Sequence, residues 1–244
     1  MTHLYLIRHG EAYCNLEQDG SGTVPGILGD KGLTTRGRVQ AHRLRERLAS
    51  SGEIQADALL ASTFARAWQT AEIIAPALGL SIIPDDDLQE MRVGEADGMT
   101  EREVLEKYGI PEYRVNPYAR LAPGAENWGE FTLRVGAMFD RVIREYAGKT
   151  VVLVTHGGVV DSSFNVFMRL HTLRVPDFAL YTHNTAITEW KLDAGGSFHQ
   201  HAESDRESHW RLVRYNDDYH IRSDLADAGS QSSASDREMN GHDS

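Results

Sequence analysis

The chain has 244 residues, 41% of them hydrophobic, which is enough to bury one substantial core. Its formal net charge is −11, and a surface this acidic argues against non-specific binding to nucleic acid or to an anionic membrane. Cys14 is the single cysteine, which excludes an intramolecular disulfide and fits a reducing compartment. Without a signal-peptide pattern or a stretch approaching the ~20 apolar residues of a membrane span, we expect a cytoplasmic protein.

Short apolar runs alternate with helical patterns over residues 1–222, which is typical of an α/β domain. We predict a three-layer α/β/α fold with a mainly parallel central sheet. Residues 4–7 are predicted to form the first strand, and an apolar stripe predicts a helix over residues 34–48. A second strand is predicted at residues 58–61.

The later elements follow the same alternation. An amphipathic helix is predicted over residues 129–146, after a small helical cap insertion at about residues 99–130. Residues 151–154 form an unbroken, mostly β-branched run, as in a strand that is covered on both faces at the centre of a parallel sheet. Residues 186–192 and 210–215 are predicted to form two later strands.

The predicted cap carries aromatic side chains whose role the sequence leaves open. Tyr113, Tyr118 and Trp128 form either an aromatic wall over a site or part of the core, and both interpretations stand.

Two segments are too polar to pack into a hydrophobic core. Residues 193–208 are predicted to form an exposed loop. His199 and His201 within it could bind a metal, but no Cys or third partner stands at ligand spacing, so a solvated loop is favoured. Residues 223–244 are rich in Ser, Asp and Gly, which predicts a disordered C-terminal tail.

Polar residues of one chemical kind follow three predicted strands. The first strand leads into Arg8-His9-Gly10-Glu11, the second leads to Arg66, and the third leads into Thr155-His156-Gly157-Gly158. Because ligands of an open parallel sheet bind beyond the carboxyl ends of its strands, we expect these segments to meet at one edge. Two arginines and two histidines there would form a positive pocket suited to a phosphoryl dianion.

Helix N-termini strengthen the prediction of an anion site. Ser62 or Thr63 is a candidate N-cap, which places Arg66 in the first helical turn, where a cation is unfavourable unless an anion binds beside it. Gly157 would open another helix and bring its N–H close to phosphate oxygens. The alternative is that the arginines are surface residues and the histidines are hydrogen-bonded core groups; this is plausible for any one of them but improbable for the set.

Phosphoryl transfer also needs a nucleophile. The chain has no P-loop, no Gly-rich kinase loop and no Cys-x5-Arg loop, since position 20, six residues after Cys14, is Gly20. A histidine remains, and an imidazole must be neutral to attack. Arginines beside His9 would disfavour its cation.

These motifs resemble the histidine phosphatase superfamily, which includes cofactor-dependent phosphoglycerate mutase. The similar blocks, in chain order, are Leu6-Ile7-Arg8-His9-Gly10-Glu11 with Asn15, Asp30-x-x-Leu33-Thr34-x-x-Gly37-x-x-Gln40-Ala41, Ser62-x-x-x-Arg66-Ala67-x-Gln69-Thr70-Ala71, Glu90-x-x-x-Gly94-x-x-x-Gly98, Pro123-Gly124-x-Glu126 with Arg134, Thr155-His156-Gly157-Gly158, and Asn184-Thr185-x-Ile187. Arg-His-Gly alone would be weak evidence for this family. Several blocks in the same order, in a resemblance that spans residues 2 to about 222, are specific evidence for it.

The resemblance implies roles for individual residues. His9 matches the phosphorylated histidine, and Glu90 matches the acid that protonates the leaving oxygen. The phosphoryl oxygens would be held by Arg8, Arg66 and His156, with Asn15 as an additional contact. Without the resemblance, Glu90 would be interpreted as an exposed carboxylate in an acidic turn.

The implied function is hydrolysis of a small phosphorylated metabolite through a phosphohistidine, without a metal or other cofactor. Mutase activity is an alternative, although mutases of the family usually follow the acid with Arg-His-Tyr-Gly, where this chain has Met91-Arg92-Val93-Gly94. A non-catalytic module that binds phosphate esters or phosphoproteins is an alternative of another class. The partner we expect is a phosphate ester; its identity and the oligomeric state are not readable from the sequence.

Overall fold

The structure is a computed structural model, and it describes residues 1–16, 22–170, 175, 180–193 and 209–222. Within these residues six strands form one sheet: β1 (Thr2–Arg8), β2 (Ala58–Ala61), β3 (Ile82–Pro84), β4 (Thr150–Thr155), β5 (Ile187–Asp193) and β6 (His209–Asp217). Their order across the sheet is β3-β2-β4-β1-β5-β6. The first four in this order run parallel, whereas β5 and β6 are antiparallel additions at one side. The predicted α/β fold with a mainly parallel sheet is confirmed.

Helices cover both faces of this sheet. One face carries α1 (Thr35–Ser51) and α2 (Ala65–Leu78), and the other carries α4 (Trp128–Glu145) and α5 (Gly157–Phe167). A further helix, α3 (Glu101–Tyr108), packs in a separate apolar cluster. Strand β4 shows the layering directly, because Val151 and Leu153 join the cluster shared with α4 and α5, while Val152 and Val154 join the cluster shared with α1 and α2. Alternate side chains of a strand point to opposite faces, so a central strand must be apolar throughout.

The beginning of α2 differs from the prediction. Phe64 occupies the N-cap position and makes no side-chain cap, so neither Ser62 nor Thr63 caps this helix. The Ser62 hydroxyl instead lies 2.8 Å from His156 Nε2, and the Thr63 hydroxyl donates to Asp86 at 2.5 Å. The capping-type residues here serve neighbouring segments rather than the helix end.

The segment predicted as a cap contains α3, and it packs with residues outside the segment in a small apolar cluster apart from the two main ones. This third cluster comprises Val24, Ala96, Val104 and Ala122. Of the aromatic residues in question, Tyr118 is 62% exposed, whereas Trp128 packs against the core cluster of α4 and α5.

The predicted tail at 223–244 lies outside the described residues, as does all but the start of the predicted loop at 193–208. No helix in the described part of the chain combines the length and the apolarity needed to cross a membrane.

Candidate active site

The register of β1 and β4 brings the two histidine segments together. Arg8 lies opposite Thr155 in this parallel pair, and the His9 N–H donates to the Thr155 carbonyl at 2.9 Å. The two chains therefore leave the sheet side by side, and the ring centroids of His9 and His156 are 5.2 Å apart.

The imidazole of His9 is held by hydrogen bonds at both nitrogens. Its Nδ1 lies 2.7 Å from the Gly10 carbonyl, which accepts only if Nδ1 carries the proton. Nε2 then has a lone pair, which accepts a hydrogen bond from Arg66 Nε at 3.2 Å. Burial, and then the charges of Arg66 and Arg8, hold the pKa of His9 well below its usual range. The predicted effect of the arginines is present, and burial contributes even more.

Arg66 is oriented by a carboxylate to which the sequence analysis gave no role. Its backbone N–H and its Nη1 both donate to Asp30 Oδ2, at 3.1 and 3.0 Å. Both side chains are buried, with 3% of Arg66 and 1% of Asp30 exposed. Because the pair fixes the guanidinium at the start of α2, Asp30 is a positioning residue. The motif block containing Asp30 was the signal for it, but sequence spacing does not show which cation it meets.

His156 and Arg8 complete the cationic cluster. His156 is buried and its pKa is lowered well below the usual range by burial, then by Arg66 and His9. Arg8 Nη1 donates to the Thr182 carbonyl. Arg8 Nε and His156 Nδ1 are buried without a hydrogen-bond partner among the described residues. Unsatisfied polar atoms of this kind in a pocket indicate a place for a polar ligand.

Glu90 lies at the N-terminus of α5, beside this cluster. Its Oε2 accepts from the Gly158 N–H at 2.9 Å and its Oε1 accepts from the Met91 N–H at 3.1 Å. A Cβ atom on Gly158 would overlap Glu90 Oε1, so this approach requires glycine. Gly157 is the first residue of α5 and lies against Arg8, with an ideal Cβ 3.8 Å from Arg8 Nε.

Asn15 is placed differently from the other predicted site residues. It is exposed at the end of a short 3-10 helix, where its Oδ1 accepts from the Ala12 N–H at 3.0 Å. The described contacts assign the side chain to this turn, and its role in phosphate binding stays a prediction.

Neighbouring polar side chains hold the loop that follows β1. Thr70 accepts a hydrogen bond from the Gly10 N–H at 3.0 Å, and Asn184 Nδ2 donates to the His9 carbonyl at 3.0 Å. Both residues stand in the motif blocks described above, although their sequence positions do not reveal that they support His9.

An open cleft of about 620 Å³ adjoins the N-terminus of α2 at Thr63 and Phe64. Its other side includes Gly26 and Ile27, whose N–H groups donate to Asp97 at 3.0 and 2.7 Å. Phe64, which lines this cleft, also contacts the Arg66 guanidinium and the His156 ring, so the cleft lies beside the cationic cluster.

Taken as chemistry, the arrangement joins a neutral imidazole, two guanidinium groups and a carboxyl group. Guanidinium and N–H donors can stabilise the charge on a transferring phosphoryl group, and a carboxyl group can carry a proton. Within the described ranges, no three His, Cys, Asp or Glu side chains group as a metal site. Metal independence stays a prediction for solution tests.

Comparisons with known proteins identify a family and relatives of this chain. A family model for the histidine phosphatase superfamily (branch 1) matches residues 4–204. The chain is 32% identical over 196 residues to the uncharacterized phosphatase PhoE of Bacillus subtilis, which covers 79% of this chain and 93% of that protein. It is 31% identical over 168 residues to phosphoglycerate mutase-like protein 4 of Arabidopsis thaliana, which covers 67% of this chain and 70% of that protein. The solved structure of Bacillus stearothermophilus YhfR superposes with a TM-score of 0.69 at 27% identity, covering 91% of this chain and all of that one (100%). The resemblance predicted from the motif blocks is confirmed.

Proposed function

This chain belongs to the histidine phosphatase superfamily (branch 1), and we propose that it is a phosphomonoester hydrolase that forms a phosphohistidine at His9. The observation that carries the proposal is the state of His9: Nε2 has its lone pair facing Arg66, 3.2 Å away, and the pKa is held well below the usual range. A neutral, oriented imidazole among guanidinium groups has the properties of a nucleophile toward phosphorus.

In the first step Arg66 Nε releases its hydrogen bond to His9 Nε2 and donates to a phosphoryl oxygen instead. The freed Nε2 lone pair forms a bond to phosphorus while the bond from phosphorus to the ester oxygen breaks. Arg8, Arg66 and His156 surround the position of the phosphoryl oxygens, where donors stabilise the charge spread over them in the transition state. The leaving oxygen takes a proton from Glu90, which lies at the N-terminus of α5 next to the cluster.

In the second step water attacks the phosphohistidine. Glu90, now a carboxylate, takes a proton from that water, as microscopic reversibility requires, and the bond between His9 and phosphorus breaks to release phosphate. The residues then stand as they began, so the cycle consumes no cofactor. The substrate we propose is a small-molecule phosphate ester.

Mutase activity is the second candidate, because a relative at 31% identity is named phosphoglycerate mutase-like protein 4. A mutase keeps the phosphoryl group on the histidine and returns it to another hydroxyl, whereas a hydrolase passes it to water. Hydrolysis is supported by the PhoE relative, whose match covers 93% of that protein. It is also supported by Met91-Arg92-Val93-Gly94 after Glu90, which departs from the usual mutase pattern.

The test is phosphate release from a broad panel of phosphate esters with excess EDTA present, together with interconversion of 2- and 3-phosphoglycerate. We expect release by the wild type and a loss of at least ~10³-fold in kcat for His9→Ala. Interconversion faster than release would favour the mutase. Equal inactivity of wild type and variant would favour a binding module, and activity that disappears with EDTA would contradict metal independence.

A further inference from the structure

The N-terminal half of α5 brings a second carboxyl group, that of Asp161, to the active site. Gly157 faces Arg8, and Gly158 faces Glu90, as their missing Cβ atoms show. Residues three and four positions apart on a helix share a face, so Asp161 lies on the face that these two glycines present to the site. The mechanism proposed above gives Asp161 no task.

The carboxyl group of Asp161 is incompletely satisfied. Its Oδ1 is buried and has no hydrogen-bond partner among the residues that the structure describes. Native proteins rarely leave a buried oxygen in this state, because the desolvated acceptor costs free energy that a donor would recover. Arg8 Nε is buried and unpartnered as well, and the Arg8 guanidinium acts on Asp161 electrostatically. A ligand positioned between them would meet a donor on one side and an acceptor on the other.

Three neighbouring titratable groups interact electrostatically with Asp161. Burial and then the Glu90 carboxylate raise its pKa to about 7, while the Arg8 guanidinium opposes this increase. Tyr215, on β6, also interacts with Asp161 electrostatically. Asp161 therefore lies within electrostatic range of two residues that the proposed mechanism uses, and it is ionised above neutral pH.

We propose that Asp161 determines substrate specificity: it accepts a hydrogen bond from a hydroxyl group of the leaving alcohol and disfavours esters with a carboxylate at that position. The preferred class is then the polyol or sugar phosphates rather than the phosphoglycerates. This inference rests on the proposed hydrolase function. A carboxylate beside a carboxylate in a partly buried site is repelled, whereas a hydroxyl satisfies the unpartnered oxygen.

The experiment compares kcat/KM for three esters with similar skeletons at pH 8. Glycerol 3-phosphate carries a hydroxymethyl group where 3-phosphoglycerate carries a carboxylate, and propyl phosphate has neither hydroxyl. The variants are Asp161→Asn, which removes the charge but keeps an acceptor oxygen, and Asp161→Ala, which removes both. Asp140→Asn, on the exposed side of α4, is the matched control for net charge.

We expect the wild type to prefer glycerol 3-phosphate over both other esters. In Asp161→Asn the ratio of glycerol 3-phosphate to 3-phosphoglycerate should fall by about tenfold or more, because the repulsion is gone. In Asp161→Ala the preference over propyl phosphate should disappear as well. Asp140→Asn should keep the wild-type ratios, and thermal unfolding of each variant checks that it is folded.

The failures are distinguishable. One outcome is that the wild type releases phosphate in a His9-dependent manner while both Asp161 variants keep the wild-type ratios of kcat/KM between esters. In that case the inference is overturned and the proposed function stands. A wild type that prefers 3-phosphoglycerate also overturns it. If no ester is hydrolysed in a His9-dependent manner, the proposed function fails and the inference fails with it.

Discussion

At the scale of single residues, the protonation state of His9 decides whether the site can act. Burial, Arg66 and Arg8 all lower the pKa of His9. We expect Nε2 to stay unprotonated well below pH 6.5, which is about the pKa of an unperturbed histidine. Imidazole ¹⁵N chemical shifts across a pH titration measure this directly, without the ionisation of a substrate. Arg66→Met should raise the His9 pKa while burial persists; titration of wild-type His9 at pH 6.5 or above would contradict the assignment of a neutral nucleophile.

The pairing of Asp30 with Arg66 predicts a stability effect at the same scale. Asp30→Ala leaves a buried guanidinium without its carboxylate, so we expect a loss of about 3 kcal/mol in the free energy of unfolding, measured with urea. Asp30→Asn keeps an oxygen for the Arg66 N–H and should lose less. Arg36 pairs with Glu11 at 3.3 Å but is 42% exposed, so Arg36→Gln should cost under ~1 kcal/mol. Equal losses for Asp30→Ala and Arg36→Gln would show that the buried pair has no special weight.

Residue types proved more predictable than residue partners. Arg8, His9, Arg66 and His156 were identified from chemistry and position after strands, and the structure brings them together. Asp30 and Asp161 gained no role from the sequence, because a carboxylate reveals its task only through the cation or cavity it meets. Those contacts are set by tertiary packing between segments distant in the chain.

At the scale of elements, Gly158, the second residue of α5, leaves the space that the Glu90 carboxylate occupies. A methyl group in Gly158→Ala would overlap Glu90 Oε1, and the flexible side chain is the part able to move. We expect stability to change little and kcat to fall by roughly 10²-fold, the lower range for losing a positioned proton carrier. Gly157→Ala is the matched comparison, because its Cβ would make ordinary contact at 3.8 Å with Arg8, and it should lose much less. Similar kcat values for Gly158→Ala and the wild type would show that Glu90 does not need this position.

Elements with strong periodicity were predicted well, and short or locally ambiguous ones were not. The central strand at residues 151–154 lies within β4, and the predicted helix at 129–146 matches α4 closely. Strand β3, three residues long, escaped prediction because so short a segment is defined by its pairing with β2 rather than by a pattern. The predicted N-cap of α2 was wrong, because the Ser62 and Thr63 hydroxyls bond to His156 and Asp86 instead.

At the scale of the whole molecule, an ion-pair network connects α1 to the antiparallel side of the sheet. Arg47 donates to Asp217 at 2.6 and 3.0 Å and to Glu53 at 2.6 and 3.1 Å, and Arg214 joins both carboxylates. The hydrogen bond from Arg47 is the main reason why the pKa of Asp217 lies well below its usual range.

This network predicts acid sensitivity. A carboxyl group whose pKa is lowered on folding adds stability above its unfolded pKa of about 3.9, and the contribution is lost as pH falls below that value. We expect the urea midpoint to drop between pH 5 and pH 2 by more in the wild type than in Asp217→Asn, which starts lower at pH 7. Asp140→Asn, away from the network, should follow the wild type. Parallel curves for wild type and Asp217→Asn would exclude the network as a source of acid sensitivity.

The alignment of β1 with β4 also makes the proposed activity a measure of complete folding. Helical hydrogen bonds join residues that are close in the chain, whereas His9 meets His156 only when two strands distant in the chain pair with Arg8 opposite Thr155. A slip of one residue would turn each side chain to the other layer. Collapsed intermediates rich in helix would consequently be silent in an ester assay, and recovered turnover would trail recovered ellipticity during refolding.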